Sequence, residues 1–420
     1  MHRPLRNKIL IALFFVLVFS SLAGAETITL ESCIKTAIEN HPDIIAAASK
    51  IDSQRASIGG SAAGGKPQLK AGAAYTRNDS TSAEDGSGSY NTSMSVEQSV
   101  YDWGKRDLKI AAARINTDAA TSDYLYTRDN IIAGVRSAYY SLNKSVRQVR
   151  VAQTRYENYE KRLSWAKSYY EVGTKPKIEV TKAETDLANS KLALVKAKSE
   201  AEQNRAQLAS AIGLPMMEIN DISDVLSYEE WNVPIEEAVK RASANRPDLA
   251  AKRKKVEYAM TSLALEKKGL SPDLSASAGY NVYGNAPFDD NGWNAKLSFN
   301  IPLYDGGLTK SRVQGAEADL VTAKAQMQST SNQVMLDVRK AWQALAQSKE
   351  ALQASLEAEK QAKETYELAA GRYEVGVGSS LEISDAVESY ASAQANKILS
   401  LYDCKQKRLD LEKAMGGLEE

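Results

Sequence analysis

The chain of 420 residues carries 53 Lys+Arg against 53 Asp+Glu, with two histidines and two cysteines. That balance argues against nucleic acid, whose phosphates demand a basic face. There is no Cys/His cluster for a metal, and Gly59-Gly60 and Gly64-Gly65 lack the strand-before, helix-after setting of a phosphate cradle, so an enzyme is not expected.

Residues 1–25 read as a secretory signal: basic Arg3, Arg6 and Lys8, an apolar run from Ile9 to Phe19, and the small-residue site Ala23-Gly24-Ala25. The run is shorter than the roughly 20 residues that span a bilayer as a helix. No Cys follows the cleavage point, so no lipid anchor is expected there. Without the signal, 50 basic residues face 53 acidic ones. No later segment approaches 18 consecutive apolar residues, so a transmembrane helix is not expected. A barrel-forming chain looks the same on hydropathy, because its strands alternate.

Leu30 to Glu39 reads as a short helix, ended by His41-Pro42-Asp43, which starts a second one with Pro42 at a first helical position. His41 is read as a junction residue. A strand pair follows at about 68–101. Tyr90, Thr92, Met94, Val96 and Val100 fall on one face; Asn91, Ser93, Ser95, Glu97 and Ser99 fall on the other. Such period-2 alternation is the strand signature. One apolar and one polar face over about ten residues suits a strand between lipid and water. The loops Asp79–Ser89 and Asn285–Gly292 are rich in Asp, Ser, Gly and Asn, as solvent-facing tips should be.

A long helix is predicted over 105–171, which holds no proline and only Gly134 inside. At about 1.5 Å per residue it is on the order of 100 Å long. Its apolar stripe keeps a 4-3 alternation through Ile131, Val135, Ala138, Leu142, Ser145, Val149, Ala152, Tyr156, Tyr159, Leu163, Ala166 and Tyr170. That period of 3.5 means coiled-coil packing. A turn at Gly173 leads to a return helix over 177–212, whose seam runs Val180, Ala183, Leu187, Ser190, Leu194, Ala197 and Ala201. Residues 216–233 form a less regular linker with Val225, Tyr228 and Trp231 as its apolar points. The same series then returns: a strand pair at about 272–303, a long helix over 307–371 and a return helix over 381–415.

The repetition is in the residues as well as the elements. Asn40-His41-Pro42-Asp43 returns as Asn245-Arg246-Pro247-Asp248, 205 residues on. Tyr101-Asp102-Trp103-Gly104 returns as Tyr304-Asp305-Gly306-Gly307, Tyr170-Glu171-Val172-Gly173 as Tyr373-Glu374-Val375-Gly376, and Ala211-Ile212-Gly213 as Ala414-Met415-Gly416, each 203 residues on. A period this long marks a duplicated half-protein, residues 26–215 and 234–417. Four strands per chain cannot close a barrel, which needs about eight. Open edges in lipid leave backbone groups unsatisfied. Other chains must therefore complete the sheet: a dimer would give eight strands, a trimer twelve.

The repeated strand-end motif (Tyr101-Asp102-Trp103-Gly104; Pro302-Leu303-Tyr304-Asp305-Gly306-Gly307) resembles the outer membrane efflux protein family of TolC-like channels. So do the Tyr-Glu-Val-Gly turns followed by Ile178-Glu179-Val180 and Leu381-Glu382-Ile383. The resemblance runs in order, and twice, over nearly all of residues 26–417. It implies an α+β membrane protein of the Gram-negative outer membrane, surrounded there by lipid. It implies a homotrimer sharing one twelve-stranded antiparallel β-barrel, four strands per chain, continued by a long α-helical coiled-coil periplasmic tunnel. Such proteins dock on a periplasmic adaptor (a membrane fusion protein) and an inner-membrane pump, and export solutes or proteins without a cofactor.

The resemblance also implies residues. Aligned through Val375-Gly376, the acids lining the family's narrow entrance match Glu382 and Asp385, each a ring of three like charges in a trimer. As acids in a helix's first turn they are also favoured by the helix dipole alone. In the first copy Glu179 matches Glu382, but Lys182 stands in place of Asp385. Tyr373 matches a tyrosine of the family's closing network. Where the family often has a closing arginine, two residues after the turn glycine, this chain has Gly378 and, in the other copy, Lys175. The turns Gly173-Thr174-Lys175 and Gly376-Val377-Gly378 are the candidate docking points for the adaptor. Cys33 and Cys404 are either a disulfide or two buried free thiols, since both lie on apolar stripes. A secreted trimeric coiled-coil stalk or adhesin without a pore is the alternative; it accounts for the heptads but not for the strand pairs or the duplication.

Overall fold

The computed structural model describes residues 28–78, 87–215, 219, 221–285 and 290–418. The signal segment and most of both strand-connecting loops lie outside the described residues. In chain order the elements are α1 (Leu30–Asn40), α2 (Pro42–Ala63), β1 (Gln68–Asn78), β2 (Ser87–Tyr101), α3 (Lys105–Glu171), α4 (Lys177–Ile212), α5 (Ile235–Asn245), α6 (Pro247–Glu266), β3 (Asp273–Gly284), β4 (Asp290–Asn300), α7 (Leu308–Glu374) and α8 (Ser380–Met415). The second long helix thus ends three residues later than the sequence predicts, because Tyr373 still makes helical turns before the Gly376 cap. Among the described residues no helix is long and apolar enough to cross a membrane. The chain divides into two compact units. Among the described residues, one holds those within 43–127 and 239–337, the other those within 28–42, 128–238 and 338–418.

The first of these units contains the antiparallel sheet, in the order β1-β2-β3-β4. Its register gathers the apolar residues of all four strands on one face: Leu69 opposite Val96, Tyr75 opposite Tyr90, Met94 opposite Tyr280, Leu274 opposite Phe299, Ala276 opposite Leu297, Tyr280 opposite Trp293. Because side chains alternate, a slip of one residue would scatter this face. The face is open: Trp293 is 79% exposed and Leu297 71%. The opposite face carries the Lys70–Glu97 ion pair (3.1 Å) and an Asn281–Asn294 side-chain hydrogen bond (3.4 Å). One expectation is corrected. A bulge between Ser99 and Tyr101 places Tyr101, not Val100, opposite Leu274, so alternation is reset at the strand end.

The repeated motif after each strand pair is a helix cap. Asp102 accepts from the Gly104 amide (3.1 Å) and the Arg106 amide (2.7 Å); Asp305 accepts from Gly307 (3.1 Å) and Thr309 (2.7 Å). A carboxylate there satisfies orphan amides at the start of each 67-residue helix. Hydrogen bonds from the Thr309 side chain and amide hold Asp305 below the usual carboxylate range. The motif needs a left-handed residue, supplied by Gly306 (φ 67) in the second copy and by Trp103 (φ 54) in the first. A tryptophan there is strained where a glycine is not.

In the other unit, α1, α4, the middle of α3 and the end of α8 enclose Cys33, Ala37, Ile132, Val135, Tyr139, Leu142, Leu208, Ile212 and Leu409. Tyr139, fully buried, places its hydroxyl 2.9 Å from the Ile28 carbonyl and 2.7 Å from Ser223 Oγ, pinning the linker to α3. Arg147 holds Asp224 beside it (2.7 Å). The linker's buried points among the described residues are Ile219 and Leu226 rather than Tyr228, which is half exposed. Cys33 and Cys404 are free and buried, so no disulfide joins them. Cys33 belongs to the α1 core, whereas Cys404 lies beside Ser227, Leu352 and Leu401. Burial pushes the Cys33 thiol up to about 11 and raises Cys404 as well.

Candidate functional site at the helix turns

The two helix hairpins, α3–α4 and α7–α8, end in the same device. Gly173 (φ 74) donates to the Tyr170 carbonyl (3.0 Å) and Thr174 to Tyr169 (2.9 Å); Gly376 (φ 83) donates to Tyr373 (3.0 Å) and Val377 to Arg372 (3.1 Å). These are Schellman caps, and the left-handed position explains the glycine in each Val-Gly pair. Thereafter the turns differ. Ser379 caps α8 by accepting from the Glu382 amide (3.1 Å), whereas α4 starts at Pro176 without a side-chain cap. At Gly378 an added Cβ would lie 2.8 Å from the Tyr373 amide nitrogen, so the second turn folds directly onto its own helix end.

The hairpins pack against each other through Tyr159, Ala369, Tyr373, Ile383, Ala386 and Val387, with Trp165 and Tyr169 alongside. Tyr169 Oη lies 2.8 Å from the Glu374 carbonyl and 3.1 Å from that of Tyr373. Tyr373 is 1% exposed, edge-on to Tyr169 at 6.0 Å, and its hydroxyl has no hydrogen-bond partner among the described residues. Desolvation raises its pKa, the Glu179 charge adds to this, and Arg162 opposes it. Lys175 reaches across, its Nζ 4.3 Å from the Tyr373 ring centre and 3.3 Å from the Gly378 carbonyl.

Further along the junction sits a buried charge that the sequence reading missed. The Arg162 side chain is 1% exposed. Nη1 donates to Asp186 and to Ser384 Oγ (3.1 Å), and Nη2 to Ser380 Oγ (3.0 Å). Arg155 pairs with Glu388 at 2.5 Å. The 4-3 stripe pointed to Leu163 and Tyr170 here, yet Arg162 is buried while Tyr170 is 46% exposed. The seam has rotated to Tyr159, Arg162, Ala166 and Tyr169. The shift is toward earlier residues and follows the partners of Arg162, which are Asp186 on α4 and Ser380 and Ser384 on α8. The one available signal was an Asp with the right reach on the return helix.

The expected residues therefore divide. Tyr373, Glu179 and Lys175 come together; Glu179 is half-buried, with Oε2 unpartnered. Glu382 is exposed and pairs with Arg372 (3.1 Å). Asp385 and Lys182 are exposed. Among the described residues no group of three His, Cys, Asp or Glu side chains is placed to hold a metal.

A four-stranded sheet with a bare apolar face, and two long helix hairpins closed by paired turns, define a duplicated strand-and-hairpin protein. The family model for outer membrane efflux proteins matches it twice, over residues 33–214 and 238–417, and the chain belongs to that family. It is similar to the outer membrane protein TolC of Vibrio cholerae serotype O1, 24% identical over 414 residues, covering 96% of this chain and 93% of that one. It is similar also to the pyoverdine export outer membrane protein OpmQ of Pseudomonas putida, 22% identical, covering 92% and 86%. Among solved structures it shares the fold of the Campylobacter jejuni CmeC outer membrane channel, with a TM-score of 0.81 at 18% identity, covering 92% of this chain and 85% of that one.

Proposed function

We propose that the chain is one protomer of an outer-membrane exit duct for an efflux or type I secretion system. It passes solutes delivered by an inner-membrane pump through a periplasmic adaptor. The observation that carries this is the sheet: four strands whose apolar residues share one bare face, with β1 and β4 as open edges. Strand edges in lipid need partners. Three copies would close twelve strands and bring six hairpins together in a homotrimer. The alternative of a poreless secreted stalk leaves this sheet without a purpose.

Passage through such a duct needs no chemistry from the chain. The junction of the two hairpins is its entrance, held closed by Tyr373 and its neighbours. Glu382 and Asp385, exposed in the first turns of α8, set the cation preference of the aperture, with Arg372 offsetting part of the Glu382 charge. The turns Gly173-Thr174-Lys175 and Gly376-Val377-Gly378 meet the adaptor. Val172, Val375 and Val377, each at least 70% exposed, offer it an apolar tip. Purified protein in planar bilayers tests the reading. A heat-modifiable oligomer should conduct ions, and Asp385→Ala should change both conductance and block by multivalent cations. Release from membranes without detergent, with no conductance, would support the stalk.

A further inference from the structure

Positions 175 and 378 are equivalents in the two repeats, 203 residues apart, and in this protomer they touch. One has the longest flexible cation; the other has no side chain and, by the clash an added Cβ would make with Tyr373, cannot have one. The Lys175 ammonium is not left in water. It lies 4.3 Å from the Tyr373 ring centre, 5.6 Å from that of Tyr169 and 3.3 Å from the Gly378 carbonyl. A cation within about 6 Å of an aromatic face is attracted by the ring quadrupole. Here one cation meets two rings and a carbonyl belonging to three different segments: the end of α3, the end of α7 and the turn before α8.

From this geometry we infer that Lys175 is a closing residue of the entrance, a cation from the first turn that clamps the second turn over Tyr373. This rests on the duct reading above, and it moves Lys175 from adaptor docking to closure. The ring, not the phenol hydroxyl, is what the clamp uses, since Tyr373 Oη has no partner among the described residues. Parting the two turns would strip the ammonium of the Tyr373 ring and the Gly378 carbonyl together, leaving it only the more distant Tyr169 ring of its own hairpin. Lys175 is partly exposed, whereas Arg162 and Tyr373 are sealed inside. A partner seated on the exposed tip residues Val172, Val375 and Val377 lies beside Lys175, so this contact is one a docking protein can remove. Lys175 is a positioning residue, acting on passage through the ring it holds.

The test is single-channel recording of the purified full chain in planar bilayers. The set is wild type, Lys175→Met, Lys175→Arg, Tyr373→Leu and the Lys175→Met/Tyr373→Leu double variant. Lys175→Met keeps the length of the side chain and should raise the occupancy of the high-conductance state about three- to thirty-fold, the range of a cation–π contact expressed as an equilibrium. Lys175→Arg should stay within about twofold of wild type. The double variant should open no further than Tyr373→Leu alone, as two partners of one contact do. Lys175→Met indistinguishable from wild type overturns the clamp, and so does Lys175→Arg as open as Lys175→Met. Absence of any conductance from folded wild-type oligomer overturns the duct reading instead.

Discussion

Asp186→Asn removes one charge and almost no volume, yet it should loosen the hairpin junction more than the larger change Arg162→Met. The Arg162 side chain is 1% exposed and that of Asp186 22%. The other partners of the guanidinium are the neutral hydroxyls of Ser380 and Ser384. Removing one member of a buried ion pair costs about 3–5 kcal/mol, because an uncompensated charge stays inside. Partial solvation of Asp186 and the two hydroxyls bring this to about 2–3 kcal/mol. Arg162→Met removes the buried charge and leaves a carboxylate that water already reaches, so about 1–2 kcal/mol is lost, mostly hydrogen bonds. The double variant should resemble Arg162→Met. Hydrogen exchange reads this directly, since local opening sets amide protection. At 1.36 kcal/mol per tenfold, Asp186→Asn should speed exchange at the junction about 30- to 150-fold. The sheet, in the other unit, should be unaffected. Faster exchange in Arg162→Met than in Asp186→Asn would refute the buried-charge argument.

Tyr373→Phe should leave conductance and junction protection near wild type, since the hydroxyl it deletes has no partner among the described residues; a marked opening would mean that the hydroxyl holds the entrance. Asp102→Ala and Asp305→Ala should each cost about 1 kcal/mol, seen as faster amide exchange confined to residues 104–109 and 307–312. Asp248 titrates below the usual carboxylate range: burial opposes this, but the Arg246 hydrogen bonds and charge outweigh it. The pair's contribution is therefore fully present above about pH 4, the unfolded carboxylate value, and is lost as pH falls through the lower folded value. Exchange at the start of α6 between pH 5 and 2 should show this step, and Asp248→Asn should abolish it.

The elements were legible because their causes are local. Period-2 alternation gave the strands, long proline-free stretches gave α3 and α7, and Val-Gly at a cap gave both turns. The sheet register was half legible: the apolar sets were right, but nothing in Ser99-Val100-Tyr101 announces a bulge, which depends on the partner strand. The buried Arg162 was hidden for a different reason. Its burial needs Asp186 from α4 and two serines from α8, and no periodicity in α3 encodes partners that lie 24 and 218–222 residues away. Lys175 and Gly378 stood out as a difference between the copies, but their contact is a tertiary fact.

That difference has a geometric cause. Two similar hairpins packed side by side cannot present the same face to each other unless a twofold axis relates them; equivalents related by rotation around a ring meet heterologously. Within the protomer, the first hairpin offers Tyr169 and Lys175, and the second offers Tyr373. The equivalent of Tyr373 in the first hairpin is Tyr170, which is 46% exposed; the equivalent of Tyr169 in the second is Arg372, also exposed. Neither position takes part in the Tyr169–Tyr373 contact within the protomer, where Arg372 pairs with Glu382 of its own hairpin. In a closed ring of three chains they should meet between protomers, Tyr170 of one against Arg372 of the next. Tyr170→Cys with Arg372→Cys, in a background where Cys33 and Cys404 are Ala, should then give covalent dimers and trimers on mild oxidation. Either cysteine alone should give none. Monomers only, from protein that runs as a folded oligomer, would mean that the hairpins do not alternate around one ring.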